Sequence, residues 1–229
     1  MAEFFAIGIF PLILTLAAFR IGQICQAKWK IPLFNPTLIG MVLVILFLMV
    51  TKMDIGVYKA GASTISWLMT PATIALAIPM YEQFQALKKN LTAIVAGVAA
   101  GTVSCLVIMT VGGILLKFAP SLLVSLMPKS VTTAIGVSLS ELFGGMGAVT
   151  TTAIILTGIF ANMMGPVFCK LFRITDPVAQ GVAFGTAGHV IGTAKANELS
   201  PLTGAVSSLS LVVAGLLTAV LFPVMTSFL

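Results

Sequence analysis

The string Met127-Pro128-Lys129-Ser130-Val131-Thr132-Thr133 places one cation and three hydroxyls beside a proline, in a stretch otherwise rich in leucine and valine. Proline is favoured at the first helical position because it has no N–H to leave unpaired, so a helix is expected to begin at Pro128 with free amides at Lys129 to Val131. Those amides hold the positive end of the helix dipole, where anions bind. Lys129 adds a full charge, and Ser130, Thr132 and Thr133 add donors able to orient two carboxylate oxygens. The chemistry this suits is the binding of a small anion. A lysine near a bilayer centre costs about 3 kcal/mol on insertion scales, a cost that a cavity, a partner or a substrate can offset. The alternative is that Lys129 snorkels to an interface while the hydroxyls bond to helix carbonyls.

A second polar string runs from Gly181 to Lys195, with glycines at 181, 185, 188 and 192, Thr186, Thr193 and the only histidine, His189. The glycine spacing allows either close helix contact or an unwound turn that exposes backbone to a ligand, with Gly192 and Thr193 beside it. His189 could donate to a carboxylate or hold a coupling proton; otherwise it is a packing histidine bonded to a carbonyl. Thr70-Pro71 could cap and open a half-helix facing the same site, or mark an ordinary kink. Asn35-Pro36 forms another capped helix start, and Asn35, Glu82 and Glu141 are second-rank site residues. No HExxH, GxSxG, Walker spacing, aspartate pair or His/Cys/Asp/Glu cluster is present, so neither an enzyme, nor a cofactor, nor a metal site is expected.

These residues need elements to hold them, and the composition restricts what those can be. The chain has 229 residues, 59% hydrophobic and 8% charged, with mean hydropathy +1.15, whereas a soluble domain is about one quarter charged. Uncharged runs such as Ile31–Thr51, Ala60–Tyr81, Asn90–Leu116, Leu142–Cys169 and Leu199–Leu229 approach or exceed the roughly 20 residues that span a bilayer as helix. They do not alternate apolar with polar, as barrel strands would. The expected fold is all-α: a polytopic integral membrane helical bundle, one transmembrane domain over residues 1–229. The first run is expected to be a helix and not a signal peptide, because only Glu3 precedes it and no small-residue cleavage site stands before Arg20. Cys25, Cys105 and Cys169 are far apart and suggest packing only.

Arg20, Lys28, Lys30, Lys88, Lys89, Lys170 and Arg173 lie at run ends, which fits cytoplasmic loops, and the net charge of +6 forms no cluster suited to nucleic acid. With Arg20 to Lys30 inside, the N-terminus lies outside. Lys170 and Arg173 return to the inside only if Leu122–Gly144 is re-entrant or broken, which needs a cavity around it. Pattern similarity suggests two repeats, about 1–118 and 119–229 and inverted, with broken helices at the midplane.

At Asn35-Pro36, Pro71-Ala72, Pro79-Met80-Tyr81-Glu82-Gln83, Leu126 to Thr133, and Gly185-Thr186-Ala187-Gly188-His189 with Gly192-Thr193-Ala194, the chain resembles the bacterial LrgB/CidB family over nearly its whole length. The resemblance implies a multi-pass protein of the bacterial cell membrane. It also implies one of two roles. Bacterial members are described as antiholin-like or holin-like proteins that act with a small LrgA/CidA-type membrane partner to modulate murein hydrolase activity and autolysis. A plant relative is similar to a plastidial translocator for glycolate and glycerate, and some bacterial pairs are linked to pyruvate uptake. The expectation is therefore a transporter of small monocarboxylates working by alternating access, with the antiholin-like role as the alternative, and a homodimer as the assembly.

Overall fold

The computed structural model describes residues 2–29 and 34–229, and every regular element among them is a helix. Packing divides the chain into two compact units, residues 1–75 and 76–229. This division follows contact density and differs in kind from the pattern-based halves 1–118 and 119–229.

The first unit holds α1 (Ala2–Trp29), α2 (Pro36–Thr51), α3 (Ile55–Gly61) and α4 (Ser63–Ala75). Asn35 caps α2, its Oδ1 accepting from the amides of Thr37 at 2.9 Å and Leu38 at 3.4 Å, as the Asn-Pro pair predicts. Asp54 caps α3 in the same way. α1 and α2 approach closely at Gly22, where a Cβ would lie 2.7 Å from the Cα of Pro36. Arg20 and Lys28, expected in a connection, are helical, because α1 continues unbroken to Trp29; Lys30 lies outside the described residues.

The second unit holds α5 (Ala77–Glu82), α6 (Phe84–Leu115), α7 (Pro120–Leu126), α8 (Thr133–Leu142), α9 (Gly147–Leu171), α10 (Pro177–Leu199) and α11 (Pro201–Thr226). Leu87, Ile94 and Val98 of α6 pack on Ala205, Val206 and Ala214 of α11. Leu123, Val124 and Met127 close a second cluster with Leu106 and Phe222. In lipid, burying apolar carbon against protein gains little over burying it in acyl chains, so close packing of small residues does the work. The buried face of α11 fits this requirement, with Gly204, Ala205, Ser207, Ser208 and Ala214 in contact with its neighbours. Large apolar side chains point outward, among them Trp67 at 75% and Leu142 at 77% exposed, an exterior unsuited to water. Among the described residues, five stretches are long and apolar enough to cross a membrane: Ile9–Trp29, Ser63–Glu82, Phe84–Leu115, Gly147–Leu171 and Pro201–Thr226. The chain is a multi-pass membrane protein.

Two segments of the second unit are interrupted. Between α7 and α8 the chain turns at 127–132, with the Lys129 amide donating to the Leu126 carbonyl at 3.3 Å and the Val131 amide to the Pro128 carbonyl at 3.4 Å. A ten-residue α8 covers about 15 Å, half the hydrocarbon thickness. Such a broken segment is what Leu122–Gly144 was expected to form. In α10 the interruption is His189, at φ 43° and ψ −137°. There the chain doubles back. Along α11, Gly181 meets Thr203 and Val206 and Gly185 meets Ser207 and Ser210, so the first arm of α10 runs parallel to α11; Thr193 then meets Ser207 and Asn197 meets Gly204, so the second arm runs antiparallel. A Cβ on Gly192 would stand 2.5 Å from the Phe184 carbonyl oxygen, although eight residues of straight helix would separate them by about 12 Å. α10 is thus a helical hairpin with its tip at Gly188-His189.

Candidate functional site

The two interruptions converge on α6. Ser130 Oγ lies 3.4 Å from Cys105 Sγ, and the Thr186 side chain sits over Gly101, whose Cβ would be 3.0 Å from the threonine methyl. Gly101 and Cys105 are about 10 to 14 residues from the end of α6, or roughly 15–20 Å along its axis, which is mid-membrane depth for a spanning helix. Here a cavity of about 620 Å³ opens between α6, α9, the first arm of α10 and the 127–132 turn, within the size range of small-molecule sites.

Most of its wall is apolar: Ile108, Met109, Phe160, Phe168, Val182 and Phe184. The polar groups on it are Ser104, Cys105, Lys129, Ser130, Thr157, Cys169 and Thr186, and no aspartate or glutamate is among them. Lys129 is half-buried, and no carboxylate pairs with it among the described residues, where the ion pair seen is Lys195 with Glu198. An unneutralised ammonium against a low-dielectric wall attracts a small anion more strongly than one in water.

The sequence-predicted residues divide around this cavity. Lys129 and Ser130 line it. The helix expected to start at Pro128 starts instead at Thr133, with Thr132 in extended conformation at its N-cap and making no side-chain cap bond. The Lys129 and Val131 amides are thereby used in the turn and are not free at a helix end. Thr132 and Thr133 do not line the cavity, and Thr133 is exposed.

His189 is buried and its Nε2 lies 2.9 Å from the Ile154 carbonyl of α9. Thr193 is also buried, its Oγ1 donating to the His189 carbonyl at 2.8 Å and lying 2.8 Å from Ser207 Oγ. Gly192 packs on the Phe184 backbone. These three hold the hairpin together away from the cavity lining. The glycines at 181 and 185 serve close contact, since a Cβ on Gly185 would collide with the Ser207 carbonyl.

The expectation at Thr70-Pro71 is corrected. Pro71 lies inside α4, which runs through it from Ser63 to Ala75, so no half-helix opens there. Thr70 and Pro71 are both exposed. Asn35 is the α2 cap and belongs, like them, to the first unit. Glu82 ends α5 in an exposed position, and Glu141, also exposed, approaches Gly147 at the α8–α9 turn. Cavity-lining residues not singled out as site residues by sequence include Ser104, Cys105 and Thr157. Their signal was faint: a hydroxyl or thiol inside an uncharged run looks like any helix-packing residue.

No solved structure matches the chain. The model of the LrgB-like family matches residues 15–228. With its all-helical membrane architecture and with nearly its whole length covered, the chain belongs to the LrgB-like family.

Proposed function

We propose that this protein is a membrane transporter of small monocarboxylates of the pyruvate, lactate, glycolate or glycerate type. The observation behind this is the half-buried Lys129, without an acidic partner among the described residues, on the wall of a largely apolar cavity where two interrupted segments meet. Lys129 takes the carboxylate, Ser130 supplies a hydroxyl for the second oxygen function, and the apolar wall accommodates the short carbon chain. Interrupted helices around a mid-membrane site are the usual means of alternating access, because arms that end there can rock without breaking a full-length helix. The carboxylate is bound and released unchanged, so no catalytic group is assigned. Where the family's small LrgA/CidA-type partner is present, its place is beside this carrier as a regulator of the flux.

The test is uptake of labelled pyruvate, lactate, glycolate and glycerate into liposomes holding the purified protein, alone and with the partner. Saturable uptake that Lys129→Ala removes supports the proposal. Absence of saturable uptake in both preparations, or uptake indifferent to Lys129→Ala, defeats it. Release of a trapped dye larger than a carboxylate would favour the antiholin-like or holin-like role, in which the membrane itself is made permeable.

A further inference from the structure

Adjoining the large cavity lies a second, much smaller space of about 10 Å³, lined by Thr102, Cys105, Ser130, Thr186 and Thr218 among others. It shares Cys105, Ser130 and Thr186 with the large cavity, so the two spaces adjoin. Thr102 is 4% and Thr186 8% exposed, and the Oγ1 of each is buried without a hydrogen-bond partner among the described residues. Other threonines in these helices do satisfy themselves: Thr110 donates to the Leu106 carbonyl at 2.9 Å and Thr151 to the Gly147 carbonyl at 2.8 Å. Thr102 and Thr186 leave that bond unmade beside the same small void, and a buried hydroxyl is costly to leave unpaired. A polar guest is implied.

Size and charge identify it. About 10 Å³ is at the lower limit of the roughly 10–15 Å³ that a water needs, and a bare sodium ion is smaller than a water. Divalent ions draw on carboxylates, and none lines this space. One helix end lies at its wall, α7 ending at Leu126 with Met127 and Pro128 on the lining, and Thr186 brings the last turn of the first arm of α10 to it. The C-terminal end of a helix holds partial negative charge, and half-helix ends with neutral oxygens are ligands for small cations. The geometry points to a site for one monovalent cation of sodium's size, held by the hydroxyl oxygens of Thr102, Thr186 and Ser130 beside the substrate cavity.

Lys129, on the neighbouring wall, repels such an ion until a substrate carboxylate neutralises it. Cation and anion therefore bind cooperatively, each raising the other's affinity by the same factor. This coupling rests on the monocarboxylate proposal, whereas occupancy of the chamber by sodium does not.

The experiment measures radiolabelled sodium retained by the full-length protein in detergent, with and without pyruvate, for the wild type, Thr102→Val and Thr186→Val. Valine keeps the shape and removes the oxygen. Expected are saturable sodium binding that potassium and choline do not displace, tightening by about five-fold or more with pyruvate, and weakening by about ten-fold in either variant. In sodium-free buffer the variants should melt at or above the wild-type temperature, because an unpaired hydroxyl has been replaced by a methyl. No saturable retention in folded wild type, or retention unchanged in both variants, overturns the site and leaves the chamber to a water. Saturable pyruvate uptake that is equal in sodium and choline overturns the coupling while the transport proposal stands. Loss of uptake in every medium defeats the transport proposal, and sodium retention in detergent still decides this one.

Discussion

The turn at 127–132 and the break at His189 interrupt helices that meet the same stretch of α6, yet they use polar residues in opposite ways. At the turn, Lys129 makes no side-chain hydrogen bond or ion pair among the described residues, Ser130 has only the long contact to Cys105 of α6, and both line the cavity. At His189 the ring is committed to the Ile154 carbonyl and Thr193 to the His189 carbonyl and Ser207, so the polar atoms hold two arms and a neighbouring helix in place. A break in a membrane helix exposes backbone groups that must be satisfied. The α10 hairpin satisfies them with Thr193 of its own second arm and with Asn162 of α9, whereas the turn leaves the Lys129 side chain to a guest. A polar residue at membrane depth thus signals a break, and only its hydrogen-bond partners tell support from site.

The largest effect should come from removing the charge at the turn. Lys129→Ala is expected to lower kcat/KM for pyruvate by about 10–100-fold, the worth of one charge-assisted hydrogen bond, with the melting temperature in detergent unchanged. Lys129→Arg should recover part of the loss, because the charge remains but the donor geometry differs. A Lys129→Ala protein that transports normally would erase the distinction between the two breaks.

The hairpin should respond in stability. His189→Ala leaves the Ile154 carbonyl without its ring partner and is expected to cost about 1–3 kcal/mol, while the protein that remains folded keeps its KM within about two-fold. A large rise in KM with unchanged melting would move His189 into the site. Gly192→Ala should destabilise by a similar amount, about 1–3 kcal/mol, because its Cβ would stand 2.5 Å from the Phe184 oxygen.

Thr193→Val is expected to lose about 1 kcal/mol of stability through its bonds to His189 and Ser207. The smallest effect belongs to Thr133→Ala, which removes an exposed hydroxyl outside the cavity lining. Uptake should stay within about two-fold of wild type, and a large loss there would restore the helix-start site expected from the Pro128 string.

The fold was largely legible because composition leaves few choices: at 8% charged residues the chain must place its apolar runs in lipid as helices. The break at 122–144 was also expected, from Lys129 and its neighbouring hydroxyls and on the premise that the basic pair Lys170 and Arg173 lies on the inner side. What misled was local chemistry read without tertiary partners. Pro128 is well suited to open a helix, but the turn it makes with Val131 postpones the start to Thr133. Pro71 has the same local signature and sits inside an uninterrupted helix. The hairpin at α10 could not be distinguished from glycine-mediated packing, since both need small residues at the same spacing, and the structure uses them for both. Thr102 and Thr186 gave no warning, because whether a hydroxyl bonds to its own helix or faces a void is decided only once the helices are packed.

The central claim is that a carboxylate occupies the cavity beside Lys129 and not the interior of the α10 hairpin. Its most direct test is cysteine labelling in a protein carrying Cys25→Ala, Cys105→Ala and Cys169→Ala, with single changes Ala187→Cys on the cavity wall and Ala194→Cys on the exposed face of the second arm. Pyruvate is expected to slow modification of Ala187→Cys by a small thiol reagent and to leave Ala194→Cys unaffected, with the protection lost in Lys129→Ala. Equal labelling of Ala187→Cys with and without pyruvate, in a protein that still takes up pyruvate, would contradict the account.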